Sequence, residues 1–350
     1  MKKRMRGIVL GRLGAPADVR APSGANPLNE PFAIGSLTLA NRIVQAPLAG
    51  IANSAFRLQS HRHGAGLAVS EMIASLGMLH GNRKTLAMLE RDPREGPGGV
   101  QIFGADPAAM AEAARMVERS GADFVDINMG CPVRKVCSTG AGAALLAEPE
   151  RAADVIEAMV RAVDIPVTVK MRRGLTPADA APVELARRFV AAGAAALFVH
   201  PRAAAEEYEG TSDHRITAEV VRAVDVPVIA SGDITDPRTA REVLGRTGCA
   251  AVAIGRGALG YPWLFGDLAA GHTRARPTLE GVVDEVRRFA EDVRAVLGDR
   301  RACGYMRKFY PWYLTGRGVT HDLLERLLQT PTLDEALSLL GEAVREPVPA

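Results

Sequence analysis

Apolar residues gather in eight short runs along the chain, at residues 43–47, 67–70, 99–103, 124–128, 167–170, 196–200, 227–230 and 251–254. Each is too short for a helix and apolar on both faces, as a strand buried on both sides of a parallel sheet must be. Between most of them lie segments with helical spacing of apolar positions, at 107–120, 149–163, 182–192, 217–224 and 237–247. Asp106-Pro107 and Asp236-Pro237 read as an N-cap followed by proline at the first helical position. Gly121, Gly193 and Gly248 read as stops. Strand, helix and glycine, repeated over about 230 residues, predict an α/β chain folded as a (β/α)8 TIM barrel across residues 31–270. A doubly wound open sheet would carry a G-x-G-x-x-G loop after its first strand. Here that position reads Ala46-Pro47-Leu48-Ala49-Gly50.

After residue 265 the alternation ends. Segments 282–296, 304–314, 322–328 and 333–344 predict a small all-helical C-terminal domain over 277–346, joined through a linker at 271–277. The start, Met1-Lys2-Lys3-Arg4-Met5-Arg6, is basic and is followed by an apolar patch shorter than the ~7–15 residues of a secretory signal. Residues 1–30 are expected to be a disordered tail, with a transit peptide as the other reading.

Composition narrows the class. The 350 residues are 47% hydrophobic and 24% charged, ordinary for a globular protein. A net charge of +3 is small for a protein that grips DNA along its length. Cys131, Cys137, Cys249 and Cys303 form no C-x-x-C pair, which argues against a zinc ribbon, and no metal is expected. Scattered cysteines fit a reducing cytoplasm. No apolar run approaches the ~20 residues of a membrane span. A monomer without a membrane or DNA partner is expected.

The polar residues that close the apolar runs are the candidates for chemistry, because that end of a barrel carries the active site. Asp126-Ile127-Asn128-Met129-Gly130-Cys131-Pro132 stops a strand abruptly. Gly130 is expected to make the turn and Pro132 to fix the chain beyond it, displaying Cys131 rigidly. Lys170 closes the next run, where a lysine needs a negative partner: Asp126 or another carboxylate, or a ligand. Gln101 interrupts another run and must be hydrogen-bonded, to a ligand or to backbone. Ala46, Pro47 and Leu48 offer a small, rigid surface for a flat ring, or a plain tight turn. His200 shares the rim, followed by Arg202. Ser231-Gly232-Asp233 and Gly255-Arg256-Gly257 end the last two runs, where paired loops often hold phosphate through backbone N–H groups. Cys137, Cys249 and Cys303 lack such settings and are given no chemical role.

Several of these words occur together, in order and spacing, with Phe56-Arg57, Ser70-Glu71-Met72, Gln101-Ile102-Phe103-Gly104, Lys135-Val136, Val169-Lys170-Met171-Arg172, Gly232-Asp233-Ile234 and Ile254-Gly255-Arg256. From about residue 37 to 265 the chain resembles the tRNA-dihydrouridine synthases, most closely their bacterial DusB-like branch. The resemblance implies an FMN-binding barrel, a helical domain that helps hold tRNA, and NADPH-dependent reduction of the C5–C6 bond of particular uridines. It implies that Ala46, Pro47, Leu48, Gln101, Lys170, His200, Ser231, Gly232, Asp233, Gly255 and Arg256 surround the flavin. Cys131 would give a proton to C5, and hydride would pass from reduced FMN to C6. Asn128, Arg134, Lys135, Arg202, Arg307 and Lys308 would face the uridine or the tRNA. The chain departs from the family words at His200-Pro201-Arg202-Ala203, Ser212-Asp213-His214, Ser231 and Met306-Arg307-Lys308-Phe309.

The aromatic residues beside the last basic pair, Tyr305, Phe309, Tyr310, Trp312 and Tyr313, read either as an RNA surface or as the core of the helical domain, with the core favoured. Two other functions share some of these features. A dihydroorotate- or dihydropyrimidine-dehydrogenase-like FMN barrel would act on a free pyrimidine. A flavin-free RNA-binding protein would have no use for the thiol, the lysine and both late loops together.

Overall fold

The computed structural model describes residues 25–178 and 181–345. Eight parallel strands form its centre: β1 (Ile43–Gln45), β2 (Leu67–Val69), β3 (Gly98–Phe103), β4 (Phe124–Met129), β5 (Val167–Arg172), β6 (Ala196–His200), β7 (Val228–Ser231) and β8 (Ala251–Ile254). Each pairs with its neighbour in sequence, β8 pairs with β1, and β2 with β3, so the sheet closes into a barrel. A short extra strand, Ile73–Ala74, lies along β3. The main helices between the strands are α1 (Ser54–Arg62), α2 (Ser75–Leu79), α3 (Pro107–Arg119), α4 (Pro149–Val160), α5 (Pro182–Ala191), α6 (His214–Ala223) and α7 (Pro237–Thr247), with single turns at Arg83–Leu86 and Arg134–Cys137, and α8 (Trp263–Ala270) follows β8. Asp106 and Asp236 cap α3 and α7 through their side chains, as their sequence positions require.

Alternation along each strand sorts side chains between two environments. Val125 and Ile127 of β4, Val167 and Val169 of β5, and Leu197 and Val199 of β6 face outward and join one cluster with Val117, Ile156 and Phe189 of the helices. Phe124, Ala196, Phe198, Ile229 and Ala253 face inward and form the barrel's own core. On β3 to β6 the inward row then turns polar toward the C-terminal end: Gln101, Asp126, Asn128, Thr168, Lys170, Arg172 and His200. The site is built from that row.

The opposite end is plugged by a hairpin absent from the sequence reading. Phe32–Ile34 pairs antiparallel with Leu37–Leu39, and Ile34 and Leu39 enter the inner core fully buried. Of the segment expected as a disordered tail, residues 1–24 lie outside the described residues. Residues 27–29 form a 3-10 turn whose Leu28 is buried, and Asn26 donates to the carbonyls of Leu268 and Ala269 at the end of α8.

The C-terminal region is helical, with α9 (Leu279–Leu297), α10 (Asp299–Met306), α11 (Tyr310–Leu314), α12 (His321–Gln329) and α13 (Leu333–Arg345). Phe309, Tyr310 and Tyr313 are buried in its core. That core is continuous with the barrel, because Phe56 of α1 lies 6.3 Å from the rings of both Phe289 and Phe309. A charged seam runs beside it: Arg62 bonds Glu285 at 2.9 Å and Asp292 at 2.8 Å, and Gln59 donates to Glu285 at 2.7 Å. Among the described residues no helix is long and apolar enough to cross a membrane.

Candidate active site at the barrel mouth

The turn that carries Cys131 is set by a relay of buried side chains. Asp126 accepts from Thr168 Oγ1 at 2.6 Å and from Gln101 Nε2 at 2.6 Å. The Gln101 amide therefore turns its nitrogen toward Asp126. Gln101 Oε1 is thereby left to accept Asn128 Nδ2 at 2.8 Å. Asn128 Oδ1 in turn accepts the N–H of Gly130 at 3.2 Å and of Cys131 at 2.9 Å. The expectation that Gly130 makes this turn is corrected: Gly130 is not in the left-handed region, and the Asn128 side chain shapes the turn instead. Cys131 is half-buried, and burial raises its thiol above the ordinary cysteine range. Cys137 Sγ donates to the Cys131 carbonyl at 3.3 Å, while Cys249 and Cys303 are buried in the cores.

Asp126 does not pair with Lys170. Its oxygens are taken by Gln101 and Thr168, and burial pushes its carboxyl up to about 7 against those two hydrogen bonds and the lysine's field. None of the hydrogen bonds or ion pairs among the described residues includes the Lys170 ammonium. The residue is half-buried on the inward face of β5, in the polar row at the C-terminal end of the barrel. Burial and then Arg172 push it down to about 8, while Asp126 pulls the other way. His200 is held far below its ordinary value by burial and by Lys170, Arg172, Arg202 and Arg256, so its ring is neutral. Those four cations make the mouth strongly positive.

The last two strands end in loops with free donors. None of the loop hydrogen bonds among the described residues is donated by the N–H of Gly232, Asp233, Gly255, Arg256 or Gly257. Gly232 has φ 115°, and a Cβ there would stand 2.8 Å from His200 Cδ2, so only glycine fits. Asp233 follows at φ 54°, in the left-handed region that Asp enters more readily than most residues. It is held by Arg202 Nη2 and the Ser212 N–H, each at 2.7 Å. Adjacent unpaired N–H groups at strand ends form a cradle for an anion such as phosphate.

The sequence model of the family described as Dihydrouridine synthase (Dus) matches residues 44–347. The chain belongs to the dihydrouridine synthase family. It is 39% identical over 310 residues to tRNA-dihydrouridine synthase B of Xanthomonas campestris, covering 87% of this chain and 93% of that protein. It is 41% identical over 286 residues to the enzyme of the same name from Pseudomonas aeruginosa, covering 80% of this chain and 86% of that protein. A probable tRNA-dihydrouridine synthase of Mycobacterium tuberculosis is 38% identical over 323 residues, covering 88% of this chain and 83% of that protein. Among solved structures, histamine dehydrogenase from Rhizobium sp. 4-9 superposes with a TM-score of 0.59 at 14% identity, over 76% of this chain and 51% of that one, which is likeness of fold. As a dihydrouridine synthase the chain is an enzyme, an oxidoreductase.

In this dihydrouridine synthase the structure gathers most of the residues singled out from sequence at one rim. Cys131, Asn128, Gln101, Lys170, His200, the Ser231–Asp233 loop and the loop at Gly255 and Arg256 all meet there, with Ala46, Pro47 and Leu48 directly after β1. Arg134 and Lys135 are exposed on a short helix just past the cysteine. Three basic residues expected at the substrate are otherwise engaged. Arg202 is only 1% exposed. It clamps the next loop, donating to the carbonyls of Glu209 at 3.0 Å and Gly210 at 2.6 Å and to Ser212 Oγ at 2.8 Å. Arg307 donates to the Thr330 carbonyl at 2.8 Å, and Lys308 to the Gly50 carbonyl at 2.5 Å.

Two residues of the mouth were missed. Arg172 is buried, donates to the Ala203 carbonyl at 3.1 Å, and lies 5.5 Å from the ring of Tyr208. Tyr208 is 52% exposed and lies 4.4 Å from the Arg256 guanidinium. The period of two on β5 was the available signal for Arg172, since it shares a face with Thr168 and Lys170. Nothing in the loop sequence marks Tyr208.

Proposed function

We propose that this enzyme reduces uridine in tRNA to 5,6-dihydrouridine with FMN, recharged by NADPH. The observation that carries the reading is the pairing of a protonated thiol on a locked turn with an unpartnered ammonium at the same rim. The residues present suit FMN. The free N–H groups at Gly232, Asp233, Gly255, Arg256 and Gly257, with Arg256 beside them, would hold its phosphate. Lys170, which no hydrogen bond or ion pair among the described residues engages, would hold the electron-rich N1–O2 edge of the ring, where its charge offsets that left by reduction. Gln101 and Asn128 form the chain of side-chain amides that ends on the Cys131 N–H.

When bound, FMN supplies the hydride, taken up from NADPH and delivered to uracil C6. The chain's own part is to place and protonate. Uracil in a stacked strand is out of reach, so the nucleotide must turn out into the mouth. C5 then needs a proton. Burial keeps the Cys131 thiol protonated at neutral pH, which suits a general acid. The four cations around His200 favour the approach of a polyanion. Exposed Arg134 and Lys135 beside the cysteine would meet tRNA phosphates, so binding should weaken steeply with salt.

The test supplies the purified protein with FMN and NADPH and offers it tRNA transcripts, free uracil and free orotate. Dihydrouridine in tRNA alone is the expected result. Turnover of the free bases without tRNA would favour the pyrimidine dehydrogenase reading, and a chain that binds no flavin would overturn both.

A further inference from the structure

The loop between β1 and α1, residues 46–52, is gripped from two directions at one residue. Gly50 sits at φ +73°. Its N–H donates to Glu71 Oε2 at 2.7 Å, from the barrel side. Its carbonyl accepts the Lys308 ammonium at 2.5 Å, from the helical region. Gly50 is thus held by a carboxylate on the peptide before it and by an ammonium on the peptide after it, two charge-assisted bonds that fix the loop on both sides of one residue. One residue on, the Ile51 carbonyl accepts Tyr305 Oη at 2.5 Å, and the Lys308 ammonium lies 4.0 Å over the Tyr305 ring. Leu48 and Ile51 pack against the apolar cluster of the helical region.

The same helices also touch the loop after β8. Gly260 has φ +72°, and a Cβ there would stand 2.7 Å from Trp312 Cβ, so the backbone of that loop rests directly on α11. Leu48 bridges the two loops, with Cδ2 3.6 Å from the position a Cβ on Gly255 would take. Residues 305–312 therefore support both the loop that follows β1 and the loop that follows β8.

We infer that this stretch of the helical region is a wall of the cofactor site, and that Lys308 is a positioning residue for loop 46–52 rather than a contact for RNA phosphate. The inference rests on the FMN reading above. Lys308 has one ammonium, and that group is half-buried against Gly50 and Tyr305. Holding the loop closed keeps Ala46, Pro47 and Leu48 packed where a flavin ring would lie.

The experiment measures FMN affinity by flavin fluorescence and tRNA affinity across a salt series, for the unmodified chain and for Lys308→Met, Lys308→Arg and Tyr305→Phe. Loss of a charge-assisted bond at a loop anchor should weaken FMN about tenfold in Lys308→Met. Lys308→Arg, which keeps a cationic donor, should restore most of it. Tyr305→Phe removes a single hydroxyl from the other anchor and should weaken FMN in the same direction. The tRNA affinity and its salt slope should stay unchanged in all three. Unchanged FMN affinity with a tRNA salt slope reduced by about one would overturn the inference and return Lys308 to the RNA. If the unmodified chain itself binds no FMN, the flavin reading fails. If it binds FMN and Lys308→Met binds equally well, only this inference fails.

Discussion

Asn128 Oδ1 accepts the Cys131 N–H at 2.9 Å, from within the strand that the cysteine follows. The thiol's position is thus inherited from an amide whose own orientation comes through Gln101 from Asp126. Asn128→Ala removes the link in the middle. It leaves the N–H groups of Gly130 and Cys131 and the Gln101 carbonyl without partners, which should cost about 1–3 kcal/mol of stability. The turn should also loosen, so Cys131 should react faster with iodoacetamide while FMN still binds. Urea unfolding and timed alkylation check both parts, and an unchanged alkylation rate would show that the turn stands without its amide.

The root of the relay gives a pH dependence of known sign. Asp126 has its carboxyl raised from 3.8 to about 7 by burial. The folded state therefore holds a proton that the unfolded chain has released, and this contribution to stability is lost as pH rises from about 4 to about 7. Asp126→Asn keeps the relay, because its oxygen accepts from Gln101 while its nitrogen donates to the Thr168 hydroxyl. The variant should gain stability over the unmodified chain between pH 5 and pH 8, read as a growing difference in Tm. Lys170, pushed down to about 8, titrates largely above that window. A difference in Tm that is flat from pH 5 to pH 8 would contradict the raised carboxyl.

Lys170→Met separates the two partners the sequence left open for the lysine. Methionine matches its stem and removes a charge that no group of the described protein bonds. Without ligand, the variant should be as stable as the unmodified chain or slightly more so, since a poorly solvated charge is gone. Its FMN affinity should fall at least tenfold, because a charge-assisted contact to the ring is lost. Thermal unfolding of the flavin-free protein and FMN titration decide the matter. A Tm lowered by several degrees in the flavin-free variant would mean that Asp126, not the ligand, is the lysine's partner.

The barrel was legible because its strands are buried on both faces, which leaves uninterrupted apolar runs, and because Cys131 and Lys170 break those runs where a barrel does its chemistry. The hairpin at residues 32–39 escaped notice because two strands of three residues each carry too few positions to show a period. Arg172 was passed over because β5 continues two residues beyond its apolar run. The turn at Cys131 was credited to glycine, the residue most freely associated with turns, whereas the deciding atom belongs to Asn128 on the strand before it. Arg202 and Lys308 were expected at the uridine or the tRNA, since sequence shows charge and not the carbonyls that consume it. Those carbonyls, at Glu209, Gly210 and Gly50, are brought near by loop geometry that no local pattern records.

Arg202 tests that last point. Its guanidinium joins the loop at 209–212 to Asp233 of the late-strand loop, with a side chain 2% exposed. Arg202→Ala strands a carboxylate and two carbonyls. Removing one partner of a buried pair costs about 3–5 kcal/mol, and Asp233's partial exposure lowers this to about 2–3 kcal/mol. Arg202→Lys should not recover it, because a single ammonium cannot span the fork's partners. Flavin retention should fall with stability, since Asp233 and Gly232 form part of the phosphate cradle. A loss under about 1 kcal/mol by urea unfolding would show that the clamp is dispensable.

Cys131→Ala isolates the proton from the hydride. The Cys131 backbone N–H keeps its bond to Asn128, so the turn, the ammonium and the phosphate loops should all survive. The variant should bind FMN normally, and NADPH should bleach the flavin at the unmodified rate, since neither step uses the thiol. Dihydrouridine formation should drop by about 10²–10⁴-fold, the usual worth of a positioned general acid. Quantifying the modified base in tRNA alongside flavin bleaching reads both halves from one sample. Full activity in the variant would assign the proton to another donor; slow bleaching would instead place the cysteine in the flavin's own reduction.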